Sequence, residues 1–117
     1  MQKIRSIVNL ISGKKRKSEC DDLSFAIYIA FLHQPNEIPL KAVFKEMKER
    51  KLTTKSVAAL ERSISRAADD VWCFGNRETL NTIYGREVIE KPMPKDLVYV
   101  ISQYCWIRKV MNEKKKK

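Results

Sequence analysis

Histidine is almost missing from this chain: His33 is the only one. A histidine-rich metal centre or a Cys/His/Asp triad would have to be built around that single ring. Its position beside Pro35, at the end of an apolar segment, instead suits a C-terminal helix cap. Glycine is nearly as scarce, with three in the chain and none in a loop of the kind that cradles phosphates. Cys20, Cys73 and Cys105 are odd in number and far apart, with no Cys-x-x-Cys pair. That spacing argues against a disulfide framework or a zinc site, points to a reducing cytoplasm, and leaves the three cysteines as small apolar residues. No run approaches transmembrane length. Lys3 and Arg5 precede Ile7, Val8, Leu10 and Ile11, but Ser6, Asn9 and Ser12 make that segment too polar for a signal peptide. It reads as a helix that docks on a core, with a membrane-surface helix over 2–12 as the alternative.

Paired carboxylates for acid/base work are also lacking. Asp21-Asp22 fits charge at a helix N-terminus, and Asp69-Asp70 falls late on a helix, facing water or a cationic neighbour. No catalysis, metal or cofactor is expected.

What the chain does have is positive charge, +10 from 24 basic and 14 acidic residues. Lys14-Lys15-Arg16-Lys17 and the lysines at 114–117 carry eight of those cations, so the body between them is nearly neutral. Such runs are commonly solvated, yet they attract a phosphate backbone in a salt-sensitive way. The 117 residues, 44% hydrophobic and 32% charged, suit one soluble domain over 1–113 followed by a basic tail at 114–117.

The periodicity is helical throughout. Ile4, Ile7, Val8 and Ile11 form one stripe, closed by Gly13 in a left-handed cap. Ser18 with Asp21 predicts a capping box for a helix over about 19 to 33. That helix is apolar almost all round, from Leu23 to Leu32, and is therefore the central one. Pro39 opens a third helix to about 50, with Leu40, Val43, Phe44 and Met47 on one stripe. A short turn without glycine leads to Thr54, the expected N-cap of a long helix ending at Gly75-Asn76. Glu78 to Tyr84 forms a short helix ended by Gly85, and Pro94 opens the last, with Leu97, Val100, Ile101, Tyr104 and Cys105 inward. Val88-Ile89 is too short for a strand. The expected fold is an all-α, compact bundle of about six helices, with a helix-turn-helix over about 39–74. Trp72 and Trp106 flank apolar stripes, as core or interface anchors.

The helix over 54–74 has two opposed faces. On a wheel, Ala59, Arg62 and Arg66 lie within roughly 40° of Lys55, opposite Val57, Leu60, Ile64, Ala67 and Val71. A smooth cationic strip on a helix buried along its back is what a major-groove reader needs, and a solvated basic face is the plain alternative.

Within 54–85, Thr54, Leu60-Glu61-Arg62-Ser63-Ile64, Ala67, Trp72 with Gly75-Asn76, and Ile83-Tyr84-Gly85 carry a specific likeness. The chain resembles the C-terminal effector domain of the stage-zero sporulation master regulator, a response regulator of endospore-forming bacteria. The likeness is weaker at Ser6-Ile7, the central helix, Pro94 and the last helix. It implies a six-helix DNA-binding domain, binding in pairs on tandem sites, with a Glu-Arg pair matched by Glu61 and Arg62. It also implies RNA polymerase sigma-subunit contact around Phe74 to Asn81. Two departures stand out. No receiver domain lies in this sequence: with Met1 as a natural start it would be a stand-alone effector domain, and as an excised domain its regulation would lie in the remainder. An arginine that reads the family's target box is Ala59 here, and a serine beside it is Ala58, which predicts a different or relaxed sequence preference.

The expected function is therefore a sequence-preferring, double-stranded DNA-binding transcription regulator acting at the nucleoid. Arg62 is the expected base reader, with Thr54, Lys55, Ser56, Ala59, Glu61 and Arg66 around it, and Thr53 with the free N–H groups of the helix start holding a phosphate. Lys14, Lys15, Arg16 and Lys17 add backbone affinity. The alternative is a protein-interaction module that pairs with a full-length regulator or a sigma subunit.

Overall fold

A computed structural model describes residues 1–113 in full and the backbone of 114 and 115. The basic tail expected at 114–117 lies outside the fully described residues. The described chain is all-α: α1 (Gln2–Ile11), α2 (Lys17–His33), α3 (Leu40–Glu49), α4 (Val57–Phe74), α5 (Arg77–Tyr84) and α6 (Pro94–Lys115). No helix among the described residues is long and apolar enough to cross a membrane.

Helix α2 is the axis of the bundle, as its all-round apolar sequence predicts. It packs against α1, α3, α4 and α6, burying Leu23, Ala26, Ile27, Ile29 and Ala30. Around it close Ile4, Val8 and Ile11 of α1, Val43, Phe44 and Met47 of α3, Leu60, Ile64, Ala67 and Val71 of α4, and Leu97 and Ile101 of α6. Each fully buried large side chain contributes about 1.5–3 kcal/mol. Helix α1 is thus a core-docked helix, and Trp72 packs half-buried against the core.

Several caps and boundaries differ from the sequence expectation. Ser18 does not cap α2, which begins at Lys17 with no side-chain bond at its N-cap. Its hydroxyl accepts from Lys55 Nζ at 2.7 Å instead. Ser56, not Thr54, caps α4, accepting from the Ala59 N–H at 3.1 Å. Thr53 Oγ1 takes the Lys55 N–H at 3.1 Å, which holds 53–55 in a turn ahead of the helix. His33 is not a helix cap: its Nε2 lies 2.6 Å from Glu46 Oε1 on α3, and Arg50 Nε donates to the other oxygen at 2.9 Å. Those bonds hold the Glu46 carboxyl below its ordinary range, the His33 hydrogen bond most of all, against a smaller opposing push from burial.

The α3–α4 turn manages without glycine because Lys51 adopts the left-handed conformation, at φ 59°. The Lys51 N–H donates to the Lys48 carbonyl at 3.0 Å and the Leu52 N–H to the Met47 carbonyl at 2.9 Å, closing α3 in a Schellman motif. The same pair of bonds closes α5 around Gly85, at φ 72°. Gly13 is not the left-handed residue of the first connection; Lys15 is, at φ 53°. Gly13 is there for proximity, since a β-carbon on it would lie 2.3 Å from Phe74 Cβ. Gly75 ends α4 as expected and lets the chain pass the Ile11 carbonyl, 1.9 Å from where its β-carbon would stand. Asn76 then caps α5 by accepting from the Thr79 N–H.

Candidate nucleic-acid interface

Helix α4 turns a continuous strip outward. Leu60, Ser63, Ile64, Ala67, Ala68 and Val71 are buried, while Ala58, Glu61, Arg62, Ser65, Arg66, Asp69 and Cys73 are exposed. The outward face is therefore rotated toward Glu61 from the strip expected on the wheel, and it carries acids as well as cations. Cys73 is exposed rather than packed as a small apolar residue, whereas Cys20 and Cys105 are half-buried.

Arg62 and Arg66, one turn apart, make no ion pair among the described residues. The acids of that strip are occupied or set apart. Asp69 accepts from Lys91 Nζ at 2.6 Å, a bond that raises the lysine's pKa. Glu61 lies with Ala58 and Ser65 on the neighbouring flank.

The N-terminal end of α2 runs beside this strip. A shallow cleft of about 310 Å³ between them is lined by Arg16, Ser18, Glu19, Lys55, Ala59, Arg62, Ser63 and Arg66. Four cations thus meet one carboxylate, Glu19, whose nearest cation, Arg16, is 3.9 Å away. A second recess joins Lys14, Arg16 and Arg66 to Phe74, with the carboxylates of Glu19, Asp69 and Asp70 also on its wall. A third, around the α4 approach, holds Lys17, Lys51, Thr54 and Lys55 together with Asp21 and Asp22. The structure therefore brings Lys14, Arg16, Lys55, Ala59, Arg62 and Arg66 onto adjoining surfaces, with Lys17, Thr54 and the cap Ser56 at one end. Lys15 is exposed and lines none of these recesses.

Lys55 differs from the other cations. Its Nζ lies 2.5 Å from Asp22 Oδ2, and the same oxygen accepts from Ser63 Oγ at 2.6 Å. Asp22 is only 5% exposed, so it is a buried pairing group and not mere helix-terminal charge. Lys55 therefore ties the α4 approach to α2, with its ammonium directed inward.

Asp70 has the corresponding role at the other end. Its Oδ2 accepts from Ser12 Oγ at 2.8 Å and from the Gly13 N–H at 3.0 Å, while Oδ1 accepts from the Lys14 N–H at 2.9 Å. Ser12 Oγ in turn accepts from the Lys15 N–H at 3.1 Å. One carboxylate thus collects the donors of the α1–α2 connection and fixes it on α4. Asp70 is half-buried on the wall of the recess it shares with Lys14, Arg16 and Arg66, and its hydrogen bonds go to a hydroxyl and backbone amides rather than to a cationic side chain.

Comparison of the chain with protein-family models, curated proteins and solved structures returns no match.

Farther from this face, Arg77 stacks on Trp72, with its guanidinium carbon 3.5 Å from the ring centroid, and donates to the Trp72 carbonyl at 2.7 Å. Phe74 is 61% exposed and lies beneath Lys14 Nζ at 4.5 Å. Asp22, Ser63 and Asp70 organise this face of the fold without a sequence signature. Their partners stand 33 to 58 residues away, beyond the reach of any local spacing pattern.

Proposed function

We propose that this chain binds double-stranded DNA through the outward face of α4, as a transcription regulator of the sporulation-effector kind. In this reading α3, its Schellman turn and α4 act as a helix-turn-helix, with the N-terminal half of α4 in the major groove. The observation that carries the reading is the pair Arg62 and Arg66, exposed without carboxylate partners and set beside Arg16 in one cleft. Like charges gathered on one surface repel, and a polyanion relieves that repulsion. The small residues Ala58, Ala59 and Ser65 leave the helix backbone able to approach base edges closely. Arg62 reads a base edge; Arg66, Arg16 and Lys14 take phosphates. Lys55 contributes through the fold, since its ammonium is held by Asp22. The protein would bind in pairs on tandem sites, as the likeness implies, at the nucleoid.

The test is an anisotropy titration against random duplexes and duplexes carrying the family-type box. Arg62→Ala is expected to weaken the preferred duplex by about 1–3 kcal/mol while leaving the helical circular dichroism intact. Equal affinity of both proteins for every duplex would defeat the assignment.

A second reading has its own observation. The exposed Phe74, under Lys14, is an aromatic contact suited to a protein partner such as a full-length regulator or a sigma subunit. Co-purification with such a partner, without duplex binding at low salt, would favour it.

A further inference from the structure

We infer that Asp70, an acidic residue beside the proposed DNA surface, strengthens DNA binding by holding the α1–α2 connection in place; this deepens the DNA-binding reading and rests on it. A carboxylate near a phosphate backbone ordinarily opposes binding, and removing it tightens the complex. Asp70 is spent on the protein itself. Its two oxygens accept from Ser12 Oγ and from the Gly13 and Lys14 N–H groups, at 2.8–3.0 Å. Asp70 is half-buried at the wall of the recess it shares with Lys14, Arg16 and Arg66, and the amides that donate to it offset part of its charge.

The segment so held carries Lys14 and Arg16, the cations that share recesses with Arg66. Two further features fix the same crossing. Gly13 sits against Phe74 and Gly75 against the Ile11 carbonyl, at distances that admit no side chain. The connection is therefore positioned on α4, and its two cations form a fixed extension of the Arg62–Arg66 strip. Without the carboxylate the amides of Gly13 and Lys14 lose their acceptor, and the two cations lose their common placement. Asp70 is a positioning residue: it acts through Lys14 and Arg16 and touches no DNA.

Charge and positioning predict opposite signs for Asp70→Asn, which makes the inference testable with the intact chain. Affinity for a duplex is measured from 50 to 300 mM salt, at a temperature where circular dichroism shows the variant folded. Positioning predicts affinity about five-fold or more weaker at the low end, and a log–log salt slope shallower by about one to two, since each phosphate contact contributes about 0.9. Arg16→Ala should then weaken Asp70→Asn less than it weakens the parent protein, while Arg62→Ala weakens both equally. Ser12→Ala, which removes one bond of the clasp without changing charge, should move in the same direction by a smaller amount, and it decides the matter if Asp70→Asn does not fold. Unchanged or tighter binding by Asp70→Asn with an unchanged slope overturns the inference while leaving the DNA reading intact. Loss of any effect from Arg62→Ala overturns the DNA reading itself.

Discussion

Replacing Lys55 by methionine separates a structural lysine from a DNA-contacting one. The substitution keeps most of the aliphatic stem and deletes the ammonium that sits 2.5 Å from Asp22 Oδ2. Asp22 is then left as a buried carboxylate with one neutral donor, Ser63 Oγ at 2.6 Å. Breaking a fully buried ion pair from one side costs about 3–5 kcal/mol. The Lys55 side chain is 36% exposed, so water reaches the vacated place and screening trims the loss to about 2–3 kcal/mol. Asp22→Asn is gentler: the amide oxygen still accepts from Ser63, and Lys55 can turn to water, for a loss of about 1–2 kcal/mol. The expected order is therefore Lys55→Met worse than Asp22→Asn. Urea unfolding at neutral pH measures both, against a total stability on the order of 5–15 kcal/mol for a small domain. If Lys55→Met lies within about 0.5 kcal/mol of the parent protein, where ordinary surface changes fall, the node does not hold α2 to α4. Lys55 then rejoins the exposed cations.

Three further substitutions probe the fold. Lys51→Gly relieves a left-handed lysine and is expected to raise stability by about 0.5–1 kcal/mol, read as a higher melting temperature; a lower one would show that the lysine side chain supports the turn. The Tyr84 hydroxyl is buried with no partner among the described residues, and burial, aided by Asp96, pushes its pKa up to about 12. Tyr84→Phe is expected to be neutral or stabilising by up to about 1 kcal/mol, and a loss above that would reveal a bond formed in solution. The Glu46 carboxyl has a folded pKa below its ordinary 4.5, so the unfolded chain binds the proton more readily. Its contribution is present above the unfolded value and fades as pH falls through the folded one. The stability gap between the parent protein and Glu46→Gln should therefore shrink below about pH 5 in urea titrations; a gap constant with pH would place the effect elsewhere.

The sequence carried the bundle because its apolar stripes are long and helical in period: the all-round stripe from Leu23 to Leu32 announced the central helix. Boundaries were less legible where two capping residues compete. Thr54 and Ser56 both suit an N-cap, and Thr53 settled the choice by taking the Lys55 amide. Ser18 looked like a cap because its rival partner, Lys55, lies 37 residues away. The exposure of Arg62 and Arg66 followed from the wheel, whereas the tilt of the outward face toward Glu61 depended on how α2 and α6 press on α4. The use of Asp70 by the α1–α2 connection could not be read locally, because an acid late on an amphipathic helix has the same sequence signature whether it meets water or a distant loop.

The central place of α2 has a consequence for how the molecule opens. A helix wrapped by four others cannot release its amide protons by shedding one neighbour, so they should exchange with solvent only through global opening. The last turns of α6, with Ile107 and Met111 in water, should exchange far sooner through fraying that leaves the rest of the molecule intact.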